Sequence, residues 1–165
     1  MNYYIDSMRT EDCAQVLAIY GEGIATGQAT FETILPEWQQ WDAGHLPLGR
    51  FVAREGNKIL GWAALSPVSR RQVYAGVAEV SVYIAASARG KGVGKALMAK
   101  LIEASEANGF WTLQSSIFPE NLASIELHLK HGFRELGRRK RVAKLQGVWR
   151  DTVLLERRSQ VVGID

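Results

Sequence analysis

The sequence predicts a mixed α/β (α+β) fold: a central mixed sheet of about seven strands with helices on both faces. Three observations carry this. Short apolar runs such as Val80-Ser81-Val82-Tyr83-Ile84 alternate with segments of helical spacing. Glycine-bearing turns separate them. The chain has 165 residues, 47% of them hydrophobic and 22% charged, which is enough to bury a substantial core as one domain. Residues 1–165 are therefore read as a single domain whose last few residues form a loose tail.

Each element has a local reason. Tyr3 to Asp6 reads as a first strand. Thr10 then caps a helix with Glu11 and Asp12 at its positive end, and Ala14, Leu17, Ala18 and Tyr20 point inward. Pro36 suits the first turn of a short helix through Trp38 and Trp41. Phe51 to Arg54 and Ile59 to Leu65 form a hairpin across Glu55-Gly56-Asn57-Lys58. Gly76 to Ile84 is a strand. Gly92 to Asn108 is a helix with Leu97, Met98, Leu101, Ile102 and Ser105 on one face, stopped by Gly109. Leu113 to Ile117 is a strand, Asn121 opens a further helix, and Arg134 to Leu145 and Val148 to Glu156 complete the sheet.

The composition narrows the function classes. A net charge of +3 is too small to argue for nucleic acid, and Arg138-Arg139-Lys140-Arg141 reads best as a solvated strand end. No apolar run approaches the roughly eighteen residues a membrane helix needs, and no signal-peptide pattern is seen, so a cytoplasmic protein is expected. Cys13 is alone and reads as a packed side chain in a helix.

The chemistry is concentrated in Arg89-Gly90-Lys91-Gly92-Val93-Gly94-Lys95-Ala96-Leu97. Three glycines at alternate positions leave backbone N–H groups unshielded, and cations surround them. Strand, basic glycine loop and helix N-terminus together make an anion site suited to a pyrophosphate. A Walker A loop is excluded, because Ala96 supplies no hydroxyl and position 89 is not glycine. A dinucleotide fingerprint is excluded by the Gly-x-Gly-x-Gly spacing and mid-chain position. About thirty residues on, Asn121 can cap a helix, and Gly132 can end it in the left-handed conformation before Phe133.

These two motifs, in this order and separation, resemble the pyrophosphate loop and the Asn-x-x-(Ala/Ser)-x-x-x-Tyr-x-x-x-Gly-Phe helix of the GNAT superfamily of acetyl-CoA-dependent N-acetyltransferases. The resemblance implies a mostly antiparallel sheet whose central strands splay apart to admit the pantetheine arm. Main-chain groups of Val82, Tyr83 and Ile84 would pair with that arm, and Asn121 would hydrogen-bond it. Main-chain N–H groups of Gly90, Lys91, Gly92, Val93, Gly94 and Lys95 would hold the pyrophosphate, with Arg89 and Lys91 adding charge. Acetyl-CoA would be the cosubstrate, with no metal.

Acetyl transfer to an amine needs the amine deprotonated and the leaving thiolate protonated; direct attack needs no protein nucleophile. Glu79 shares a strand face with Ser81 and Tyr83, in a segment too apolar to bury an acid without purpose. Desolvation there would raise its pKa and make it a base. His128 stands where many family members carry a thiolate-protonating tyrosine, and a histidine can donate near neutral pH.

The resemblance extends to the phosphinothricin and methionine sulfoximine acetyltransferase branch through Ala29-Thr30-Phe31-Glu32-Thr33, Trp38, the segment from Ser69 to Gly76 and Gly147-Val148-Trp149-Arg150-Asp151. It implies a small amino-acid-like acceptor and a homodimer, with no nucleic acid or membrane partner. A guanidinium from Arg70 or Arg71 would bind a carboxylate or phosphinate. Gln72 and Tyr74 offer hydrogen bonds, Val73 lies between them, and Phe31 supplies an apolar wall. Protein N-termini or other amines as acceptors, or an acetyl-CoA-binding module without turnover, are the alternatives.

Overall fold

The computed structural model describes residues 2–165. In chain order the elements are β1 (Tyr4–Ser7), α1 (Cys13–Thr26), α2 (Trp38–Gly44), β2 (Phe51–Glu55), β3 (Lys58–Pro67), β4 (Val77–Ile84), α3 (Val93–Ala107), β5 (Thr112–Ile117), α4 (Leu122–Lys130), β6 (Arg134–Leu145) and β7 (Val148–Arg158). The strands form one seven-stranded sheet in the order β1-β2-β3-β4-β5-β7-β6. Every pairing is antiparallel except β4 with β5. That parallel pairing covers only Val77–Glu79 against Thr112–Gln114, so the two central strands part beyond Glu79.

Helices cover both faces. Leu97, Met98 and Leu101 of α3 are fully buried on one side. On the other, α1 crosses β4 so closely that a Cβ at Gly23 would lie 2.7 Å from the Tyr83 ring. Only glycine permits that approach, and it sets the depth of the floor beneath α1. Trp41 of α2 packs edge-on against Trp62 of β3, ring centroids 5.2 Å apart, and both indoles are buried. No helix among the described residues is long and apolar enough to cross a membrane.

The elements match the expected order, with local differences. Thr10 does not cap an α-helix; Thr10–Asp12 is a 3-10 turn, and the Asp12 carboxylate accepts the Arg9 backbone N–H at 2.8 Å. Asp12 also takes both Arg54 guanidinium nitrogens, at 2.9 and 2.8 Å, which holds its carboxyl below the usual range. The buried side of α1 is Val16, Ile19 and Gly23, at helical spacing, while Ala14 and Ala18 face out. Pro36 precedes α2; Glu37 is its cap and Trp38 its first residue.

Candidate functional site

Where β4 and β5 part, a cleft of about 990 Å³ opens, bounded by α1, the segment after it, β4, the glycine loop, β5 and α4. One half is built from main chain. Val80–Ile84 pair with β3 on one edge, and beyond Glu79 the edge toward β5 has no strand partner. The chain then runs through the glycine loop into α3. Gly90 and Gly92, both on the cleft lining, have φ of +74° and +80°, values that L side chains rarely adopt. The first α-helical hydrogen bond of α3 is Ala96 N–H to the Gly92 carbonyl at 3.1 Å, which leaves the N–H groups of Val93, Gly94 and Lys95 without a partner inside the helix. Arg89 and Lys95 line the cleft beside them.

Neighbours brace this loop. The Ala86 N–H donates to Glu22 of α1 at 2.8 Å. Lys91 does not line the cleft; its ammonium donates to the Ser87 carbonyl at 3.0 Å, within the loop.

The other half is built from side chains of separate segments. Glu79 stands at the mouth, on the last residue of the parallel pairing, opposite Ser66 of β3. It is half-buried, and desolvation pushes its carboxyl above the usual range, against a hydrogen bond from Gln114 and the charge of Arg139. Behind it lies an aromatic floor. Trp62 stacks on Tyr83 at 4.9 Å, and Tyr20 meets both edge-on at 5.9 and 5.0 Å. Burial raises the Tyr83 hydroxyl well above the ordinary phenol value, so this group stays protonated.

A strap from Gly27 to Glu32 closes the side. Arg150 of β7 donates to the Gly27 carbonyl at 3.0 Å and to Gln28 Oε1 at 2.8 Å, and its guanidinium lies 4.0 Å from the centre of the Phe118 ring. Phe118 in turn meets Phe31 edge-on at 4.9 Å, which places Phe31 on the cleft wall. Asn121 is tied into the same strap. Its Oδ1 accepts the Ser124 N–H at 3.3 Å as a helix cap, and its Nδ2 donates to the Gln28 carbonyl at 3.2 Å.

His128 is buried at the cleft with its ring edge-on to Phe133. Its Nδ1 lies 2.6 Å from the Ser124 carbonyl, which can only accept, so Nδ1 carries the proton and Nε2 presents a lone pair. Desolvation lowers its pKa, with His131 adding in the same direction. The resting state is therefore a neutral imidazole, a different starting point from the proton donor expected from sequence.

The structure brings Glu79, Val82, Tyr83, Ile84, the loop glycines, Asn121, His128 and Phe31 to one cleft. It does not bring Arg70, Arg71, Gln72, Val73 or Tyr74 there. These five residues are exposed on the segment before β4, where the Arg71 guanidinium lies over the Tyr74 ring at 5.6 Å. Tyr20, His45, Trp62, Ser115 and Thr152 line the cleft without any local sequence signal, because each reads as an ordinary core or strand residue.

The comparisons agree with this geometry. Residues 4–133 match the model of the acetyltransferase (GNAT) family. A phosphinothricin N-acetyltransferase of Alcaligenes faecalis is 35% identical over 91% of this chain and 79% of its own. An L-methionine sulfoximine/L-methionine sulfone acetyltransferase of Pseudomonas aeruginosa PAO1 is 30% identical over 88% of each chain. The crystal structure of a GNAT superfamily phosphinothricin acetyltransferase from Sinorhizobium meliloti, in complex with acetyl-CoA, superposes with a TM-score of 0.85. It is 27% identical, covering all of this chain and 97% of that one.

Proposed function

This chain belongs to the acetyltransferase (GNAT) family, and we propose that it acetylates the α-amino group of a small amino-acid analogue of the phosphinothricin, methionine sulfoximine or methionine sulfone type. One observation carries the reading: the parting of β4 and β5 leaves an unpaired main-chain edge that leads directly from a carboxylate, Glu79, to an N–H-rich glycine loop. A cosubstrate with a pyrophosphate at one end and a reactive acyl group at the other fits that track. The glycines at 90 and 92 leave room where a phosphate approaches, and Arg89 and Lys95 supply charge. When bound, acetyl-CoA supplies a thioester-activated acetyl group.

This chain's residues prepare the amine. Glu79, with its raised pKa, takes a proton from the acceptor's ammonium, directly or through one water, and the free amine attacks the thioester carbonyl without a protein nucleophile. The unpaired main-chain edge of β4 beyond Glu79 would hold the cosubstrate's arm and so orient it toward that carboxylate. Once it has attacked, the nitrogen is cationic and must shed a second proton. His128, neutral at rest, takes that proton at Nε2 and returns it to the sulfur as the C–S bond breaks, while the first proton passes from Glu79 to solvent. Pairing of two copies in the cytoplasm belongs to the same reading, and light scattering tests the copy number.

Release of free thiol, followed across a panel of amines, tests the activity. Turnover of methionine sulfone, methionine sulfoximine or phosphinothricin, well above turnover of simple amines or peptides, is expected. Equal or better rates on peptide N-termini or amines without a carboxylate would replace this reading. Acetyl-CoA binding with no thiol release from any acceptor would leave a binding module.

A further inference from the structure

We infer that Arg139 is a specificity-determining residue that binds the acceptor's carboxylate at the outer rim of the cleft, an inference that rests on the amino-acid reading above. The sheet register places it. Arg139 of β6 is the direct partner of Thr152 of β7, and residues directly opposite on antiparallel strands project from the same face. Thr152 is buried and lines the cleft. The same face continues through Glu156, Gln114 and Glu79, which occupy one row of paired positions. Arg139 is also the last paired residue before a bulge that runs to Ala143, a feature that re-aims neighbouring side chains.

Its charge is available. Arg134 and Arg138, its neighbours on the strand, are held by Glu156 at 3.1 Å and Asp151 at 2.9 Å. Among the described residues Arg139 forms no such ion pair. It is exposed, and its positive charge acts on the Glu79 carboxyl without contacting it. The Glu79 carboxyl and the positive charge of Arg139 that acts on it complement a zwitterion: the ammonium beside Glu79 and the carboxylate on Arg139. A guanidinium can hold a carboxylate through two parallel hydrogen bonds. Arg70 and Arg71 have the same chemistry, and like Arg139 they do not line the cleft itself; of the three, only Arg139 adds its charge to the Glu79 carboxyl.

The test compares methionine sulfone with its primary carboxamide, which keeps the amine and side chain but lacks the charge. Wild type is expected to prefer the acid. Arg139→Ala and Arg139→Gln are expected to raise KM for the acid roughly ten- to hundredfold, with kcat, KM for acetyl-CoA and turnover of the carboxamide little changed. Arg139→Lys is expected to retain part of the preference. Because the side chain is exposed, the variants should fold, and an intact thermal shift with acetyl-CoA checks that. An Arg139→Ala enzyme that keeps the wild-type ratio of acid to carboxamide overturns the assignment. So does an equal loss on both acceptors, which would mean that Arg139 acts through Glu79. A wild type with no preference for the acid overturns the amino-acid reading itself, and this inference with it.

Discussion

The two halves of the cleft are made in opposite ways. The loop half is contiguous: Val80 to Lys95 is one strand, one turn and the start of one helix, and its donors are backbone groups. The acceptor half is assembled from α1, the strap, β3, β4, β5 and β7, and its working groups are side chains. In the first half, changing a side chain removes little unless it adds bulk to the backbone track. In the second, each truncation should remove a function. The loop half therefore tolerates composition and depends on conformation, while the acceptor half does the reverse.

The largest effect should come from breaking the loop's conformation. Gly92 has a φ of +80°, and a Cβ at this position would meet nothing closer than the Tyr3 hydroxyl at 3.7 Å. Gly92→Asp forces a side chain into the left-handed region, at about 1–2 kcal/mol, and sets a negative charge where phosphate must approach. Acetyl-CoA should then no longer raise the melting temperature, as a ligand of the folded state otherwise does. Lys91→Ala, in contrast, should keep most of the shift, since Lys91 bonds the loop to itself. A full thermal shift in Gly92→Asp would take the loop out of the site.

Next in size is Glu79→Gln, which keeps the shape and removes the base. kcat should fall about 10²–10⁴-fold at neutral pH. Desolvation raises the Glu79 pKa, so the acid limb of the wild-type profile should lie above the ordinary carboxylate range. The deficit should shrink as pH rises and more amine arrives deprotonated. A deficit that stays constant from about pH 6 to 10 would make Glu79 a positioning group, contrary to the role of base.

The contrast also explains what could be read from sequence. A contiguous site leaves a contiguous trace: glycine spacing, the strand before it, the helix after it and the Asn121 cap all follow local rules, and the strand and helix boundaries fall within a few residues of those expected. The acceptor half leaves none. Trp62 and Tyr83 stack because β3 and β4 pair in register, and Tyr20 joins them only because Gly23 lets α1 approach. The buried stripe of α1 is Val16, Ile19 and Gly23, and counting the small Ala14 and Ala18 as inward puts them on the wrong side of it. Arg70 and Arg71 have the right chemistry for a carboxylate, but residue type alone does not place a segment in the cleft lining, and theirs precedes β4 outside it.

A smaller effect should follow from loosening the strap. The Arg150 side chain is mostly buried and joins β7 to Gly27 and Gln28. Arg150→Ala removes those hydrogen bonds while leaving Glu79 and the loop untouched. KM for the acceptor should rise about three- to tenfold, with kcat nearly constant. Since Asn121 also bonds the Gln28 carbonyl, any accompanying rise in KM for acetyl-CoA would show that the strap serves both halves. An unchanged KM for the acceptor would mean that Phe31 needs no support from β7.

The smallest effect is expected at His128, where the halves meet: its helix begins at the Asn121 cap and its ring lies in the cleft wall. A neutral imidazole with a proton fixed on Nδ1 is a weak standing acid, and coenzyme A is a fairly good leaving group. His128→Gln should therefore lower kcat by less than about tenfold near neutral pH. Stability gives a second, independent reading. Burial lowers the folded pKa of His128, so below the unfolded value of about 6.5 the unfolded chain binds more protons than the folded one. Wild type should thus lose melting temperature as pH falls from about 7.5 toward 5, and His128→Gln should lose less. Some slope should persist, because burial lowers the His45 pKa in the same direction. A variant whose melting temperature falls as steeply as wild type would mean that His128 is protonated in the folded protein. A large loss of kcat would mean that the proton relayed through this ring to the thiolate limits turnover.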